Sequence, residues 1–211
     1  MTPRTSVSAR NRLFIIVGLA AALTLTACVN STEPQTGQSA TPTVSATATA
    51  TPSPTLAYKP ADANGKAENV PIPVLPEAAK ANSKEGVEAF ARYWFQALSY
   101  AYETGDMAVW SAMTSAECVF CNRIKQGLES AYVKGRWVVG GKMTTPSVEA
   151  NFKSEALSQQ VTIQTIQSQI DYYDADGSVG QPSTPPSNSA IVMIGAFESG
   201  SWKVKDLGLI Q

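Results

Sequence analysis

The chain has 211 residues, 44% of them hydrophobic but only 16% charged, well below the roughly 25% charged that a globular protein carries, so part of it is neither core nor ordinary surface. Its 16 Lys and Arg offset 17 Asp and Glu, and with no basic excess to neutralise phosphates the composition argues against a nucleic-acid partner. Histidine is absent, which removes Ser-His-Asp and Cys-His pairs, HExxH helices and every His-ligated metal site, leaving no readable catalytic residue, metal site or cofactor.

Arg4, Arg10 and Arg12 open the chain without an acid, and residues 13–25 are apolar or small. This is the layout of a signal peptide, with an apolar run shorter than the roughly 20 residues a membrane span needs. It ends in Leu25-Thr26-Ala27-Cys28, which resembles the lipobox of bacterial lipoproteins. The alternative is an ordinary secretory signal with an incidental cysteine. The resemblance implies loss of residues 1–27 and a diacylglyceryl group on Cys28, with palmitate-like chains holding the protein to the extracytoplasmic face of the cell membrane. Two acyl chains anchor durably, at about 0.8 kcal/mol per buried methylene. Without the three arginines the chain keeps 13 basic and 17 acidic residues, a formal charge of −4, so anchoring rests on the lipid and not on attraction to anionic headgroups.

Residues 28–76 are then expected to form a disordered linker behind the lipidated cysteine. Up to Tyr58 they are nearly all Thr, Ser, Ala, Pro, Gln and Gly, with Glu33 the sole charge, and Pro60, Pro71, Pro73 and Pro76 extend the pattern. Such a segment has no apolar face to offset the entropy of ordering. Its 48 residues after Cys28 would reach roughly 35 to 40 Å on average. Ser/Thr with Pro also fits an O-glycosylated stalk as well as a bare spacer.

Residues 77–211 read as the folded domain. Ser83 is expected to cap a helix with Val87, Phe90, Ala91, Trp94, Leu98, Ala101 and Tyr102 on one stripe. Thr104-Gly105-Asp106 stops it and caps a short second helix through Trp110, and Ser115 caps a third that carries Cys118, Cys121, Ile124, Leu128 and Tyr132. From Trp137 the period becomes that of strands: 137–139, 161–164, 190–194 and 202–205. Trp202 and Val204 are out of step with Leu207 and Leu209, as are Val161 and Ile163 with Ile166 and Ile170, so a bulge is expected in each strand. The fold class is α+β, with N-terminal helices packed on a curved antiparallel sheet.

Tyr93-Trp94, Thr104-Gly105-Asp106, Cys118-Val119-Phe120-Cys121 and the run from Gly135 to Gly141 resemble a family of uncharacterised actinobacterial lipoproteins. The resemblance implies a cone-shaped domain of the nuclear-transport-factor-2-like or cystatin-like kind, which can pair two copies through its open sheet face, and no known reaction.

Cys118 and Cys121 are the only thiols left once Cys28 is lipidated, in an oxidising compartment, so a disulfide between them is expected. Three residues apart on a helix their Cβ atoms would be about 5 to 6 Å apart, too far unless the first turn distorts. A redox Cys-x-x-Cys is the competing reading, weakened because no strand precedes it. Asp171, Asp174, Asp176 and Gly177 suggest a calcium loop, but Tyr172 and Ser183 fall where its first and last ligands belong, and a turn opening a Ser/Pro-rich excursion over 178–188 explains them. Trp94, Trp110, Trp137 and Trp202 either line a pocket or fill the core, with the core favoured by their spacing. Asp106 and Glu117 are carboxylates that helix caps explain. The function expected is a tethered, non-catalytic binding domain for a small ligand or an envelope partner. The alternatives are an enzyme with a Tyr/carboxylate pocket in the cone, or a Cys-x-x-Cys redox protein.

Overall fold

Ser83, in extended backbone, accepts the Gly86 amide on its Oγ at 3.0 Å and so opens α1 (Lys84–Thr104) where the sequence places it. The computed structural model describes residues 56–210, so the signal segment, Cys28 and the linker through 55 lie outside the described residues. The helix ends at Gly105, whose φ of 78° is left-handed and whose Cα lies so close to Tyr132 that a Cβ would come within 2.6 Å of that ring. Glycine is therefore required there twice over. The expected stripe from Val87 to Ala101 is buried, but so are Tyr93, Phe95 and Ala97, which gives α1 apolar contacts on more than one side.

Asp106 Oδ1 accepts the Ala108 amide at 2.9 Å at the start of α2 (Ala108–Ala112). α3 (Val119–Tyr132) begins later than expected, because its cap is Cys118 and not Ser115. The Ser115 amide is committed to Val204 O at 2.8 Å, and Val204 N donates to Met113 O at 2.9 Å, so this connection runs along a strand before the helix can start.

The strands are β1 (Trp137–Gly140), β2 (Met143–Thr144), β3 (Val148–Asn151), β4 (Gln159–Gln167), β5 (Ile170–Tyr173), β6 (Val179–Thr184), β7 (Ser187–Glu198) and β8 (Ser201–Leu209). One sheet runs β2-β4-β7-β8 with β3 also paired to β4; the other runs β1-β5-β6. Every strand pair within the sheets is antiparallel, and the fold is α+β. The buried residues of α1 join Trp110, Cys118, Cys121 and Leu128 and the inward side chains of β3, β4, β7 and β8 in one apolar cluster.

The bulge expected in β8 is present: Val204 pairs with Gly195 and Asp206 with Ile194, leaving Lys205 unopposed and returning Leu207 to the core. The bulge expected between Ile163 and Ile166 is not. β4 holds its register throughout, Ile166 faces outward, and Ile170 belongs to β5 of the other sheet. The excursion over 178–188 is likewise corrected. It holds β6 and the start of β7, and β6 escaped notice because an edge strand exposed on nearly all its residues, with Pro182 within it, shows no alternation.

The domain boundary at residue 77 also moves. Residues 56–76 are laid against the domain by hydrogen bonds that their composition does not announce. Lys59 and Glu68 exchange backbone bonds at 3.0 and 2.9 Å, their side chains pair at 2.9 Å, and Asp62 and Gly65 close the hairpin between them. Trp137 Nε1 donates to Asp62 O at 2.9 Å and the Tyr93 hydroxyl to Pro73 O at 3.2 Å. Prolines that cannot donate can still present carbonyls, and the partners come from the folded body.

Candidate functional site

α1 presents two adjoining stripes to two different concavities. Phe95, Leu98 and Tyr102, spaced three and four apart, form one wall of a cavity of about 210 Å³, closed by Phe120 and Ile124 of α3, by Met143, and by inward residues of β4, β7 and β8. Ile191, Leu207 and Leu209 make the sheet side apolar, and Thr165, Gln167, Ser187 and Ser189 supply its polar groups, none of them charged. Thr165 is itself buried and donates to Ser189 O at 3.2 Å. Burial pushes the Tyr102 phenol up, while the neighbouring Gln167 amide draws it partly back. A neutral tyrosine without a carboxylate beside it is a hydrogen-bonding group here and a poor general base at neutral pH.

The other stripe, Gln96, Ser99, Tyr100 and Glu103, borders two clefts of about 320 and 360 Å³. Both also touch Tyr58 and Lys142. The Tyr58 hydroxyl donates to Glu103 Oε1 between them, and that bond, then burial, pushes the phenol up from 10.0 to about 12. A tyrosine and a carboxylate do meet, but in a shift that makes the phenol hold its proton.

The four tryptophans do not line the cavity; they are core. Trp94 packs on Trp110 with ring centres 5.4 Å apart and donates to Thr114 Oγ1 at 2.9 Å. Trp202 donates to Ala81 O at 3.0 Å, and Trp137 stacks on Tyr173 at 5.6 Å. Their helical and strand spacing signalled this. Phe95 was missed because it lies off the main stripe, Tyr58 because it sits in a segment read as linker.

Cys118 and Cys121 form a disulfide-distance pair, with sulfurs 2.03 Å apart and Cα atoms 5.2 Å apart. The distance problem of two helical positions does not arise, because Cys118 stands before the helix in extended backbone. Both are buried, whereas redox-active cysteines need access to their partners. Cys28 lies outside the described residues.

Asp171 bonds Ser183 and Gln169, Asp174 pairs with Arg136 at 2.6 Å, and Asp176 bonds Ser178, so the three carboxylates of the suggested calcium loop go separate ways. Among the described residues no three His, Cys, Asp or Glu side chains gather as a metal site would require. Glu117 accepts from the Ser115 hydroxyl, which draws its carboxyl below the usual range.

An antiparallel α+β domain with an apolar cavity between helices and sheet defines the class. The chain belongs to a family of unknown function, DUF6318, whose pattern matches residues 56–208. That span starts with the segment laid against the domain. No curated protein matches the chain. Among solved structures it is similar to the intermembrane space region of the chloroplast protein ARC6 (8% identity, 61% of this chain and 96% of that one, TM-score 0.43). Two others are an uncharacterised protein with a cystatin-like fold from Caulobacter vibrioides (13%, 59% and 89%, 0.39) and Aln2 from a Streptomyces species (11%, 59% and 88%, 0.38).

Proposed function

We propose that the protein is a lipid-anchored, extracytoplasmic binding domain of the cone-shaped kind, whose cavity takes a small, mainly apolar ligand with a neutral polar end. The observation that carries the binding role is the cavity itself: aromatic and aliphatic walls, uncharged hydroxyl and amide groups on the sheet side, and no carboxylate among its lining residues. At about 210 Å³ it has room for roughly seven water volumes, hence a ligand of about that many heavy atoms or a few more. The lipid anchor rests on Leu25-Thr26-Ala27-Cys28 after the apolar run, which resembles the lipobox of bacterial lipoproteins. With residues 56–76 on the domain, the spacer shortens to residues 29–55 and its expected reach to roughly 30 Å. No helix among the described residues is long and apolar enough to cross a membrane.

The chain purified from membranes tests both halves of this reading. Mass spectrometry of its N-terminal peptide is expected to show diacylglyceryl on Cys28, and an unmodified Cys28 or a cut elsewhere overturns the anchor. Titration with 1-octanol, followed by NMR, is expected to give saturable shifts at Phe95, Tyr102 and Ile191 that Ser189→Phe abolishes by filling the cavity. Shifts that never saturate, or that survive Ser189→Phe, overturn the binding role.

A further inference from the structure

We propose that the trough spanned by Tyr58 is a second binding site, for a neutral oligosaccharide. Its helical wall is a polar stripe of α1, its far side includes Val138, Val139, Gly140 and Lys142 in one half and Pro71 and Pro73 in the other, and the hydrogen-bonded Tyr58 and Glu103 border both. The two halves, about 320 and 360 Å³, are each in the range of small-molecule sites, and Tyr58, Ser99, Glu103 and Lys142 line both.

The chemistry of the walls selects the ligand. Glu103 and Lys142 place one negative and one positive charge in the same trough, and both border both halves. For an anion the attraction of Lys142 is offset by the repulsion of Glu103, and for a cation the reverse, so neither sign of charge is drawn in and a ligand without net charge is favoured. Lys142 enters no ion pair among the described residues, and its ammonium is free to donate. Glu103 has a second carboxylate oxygen to accept with, and Gln96, Ser99 and Ser168 carry further groups of both kinds. Tyr58 and Tyr100 add aromatic surface, with Pro71 and Pro73 beside them. Hydroxyls that donate and accept around a ring with apolar faces match that combination. The lining of both halves is mainly apolar, as in the cavity on the adjoining stripe, and what separates the two sites is the charged pair Glu103 and Lys142, which the cavity lacks.

Titration of the processed chain with chitotriose, followed by NMR, tests the assignment. Saturable shifts are expected at Tyr58, Gln96, Tyr100 and Lys142, with Phe95 and Ile124 unmoved. Glu103→Gln and Lys142→Met, both surface changes whose folding is checked by circular dichroism, are each expected to weaken binding about fivefold or more, as loss of a charge-assisted hydrogen bond does. Absence of saturable binding at 10 mM chitotriose, on the order of the weakest useful affinity, overturns the proposal. So do unchanged affinity in both variants, shifts centred on the apolar cavity, or tighter binding of tri-alanine, which would make the trough a peptide groove.

Discussion

The body around α1 and the segment over residues 56–76 are both ordered, for different physical reasons. The first is ordered by burial: Trp94, Leu98, Ile163, Met193 and Val204 lose essentially all their exposure, each worth about 1.5 to 3 kcal/mol in transfer from water. The second is ordered by hydrogen bonds. Its Leu56, Tyr58, Ile72 and Val74 remain exposed and Leu75 alone of the segment packs partly against the core, while Asp62 and Pro73 offer carbonyls to Trp137 and Tyr93. Each such bond contributes only about 1 kcal/mol net. A burial-ordered region and a bond-ordered one should therefore fail at different perturbations, with the segment able to lift while the body stays folded.

Trp94→Ala gives the largest expected effect. It empties the centre of the body and removes the indole donor to Thr114 Oγ1, and the urea midpoint should fall by the equivalent of about 3 to 5 kcal/mol. A loss below about 1 kcal/mol would mean that burial is not what holds this region.

Replacing both sulfurs, Cys118→Ser with Cys121→Ser, comes next. The loop they close is short, so the cost is about 2 kcal/mol on the chain-entropy argument. The same pair is expected to resist alkylation in urea until a reductant is added; labelling of the denatured, unreduced protein would show that the two sulfurs are not bonded.

Tyr58→Phe should have the smallest effect and a distinct pH signature. Because donation to Glu103 raises the phenol from 10.0 to about 12, its stabilisation is fully present below pH 10 and is lost as pH rises through 12. For so exposed a pair the gap between wild type and variant should be at most about 1 kcal/mol at pH 8, shrinking toward zero by pH 12. Hydrogen exchange at the Lys59 and Glu68 amides should speed up while that of the α1 core does not. Equal acceleration in both regions would erase the distinction between them.

The sequence by itself determined what depends on near neighbours. Ser83 and Gly105 bound α1 because a cap acts over three residues and a left-handed stop over one; the phase change in β8 demanded a bulge because side chains alternate with period two; the paucity of other thiols pointed Cys118 to Cys121. Only the tertiary structure decided what depends on partners far along the chain. Tyr58 reaches Glu103 across 45 residues and Trp137 reaches Asp62 across 75, so a Pro-rich stretch that reads as a spacer becomes part of the domain. The cavity is of the same kind. Phe95, Ile124 and Leu207 belong to three elements, and no periodicity within any one of them records the space left between them.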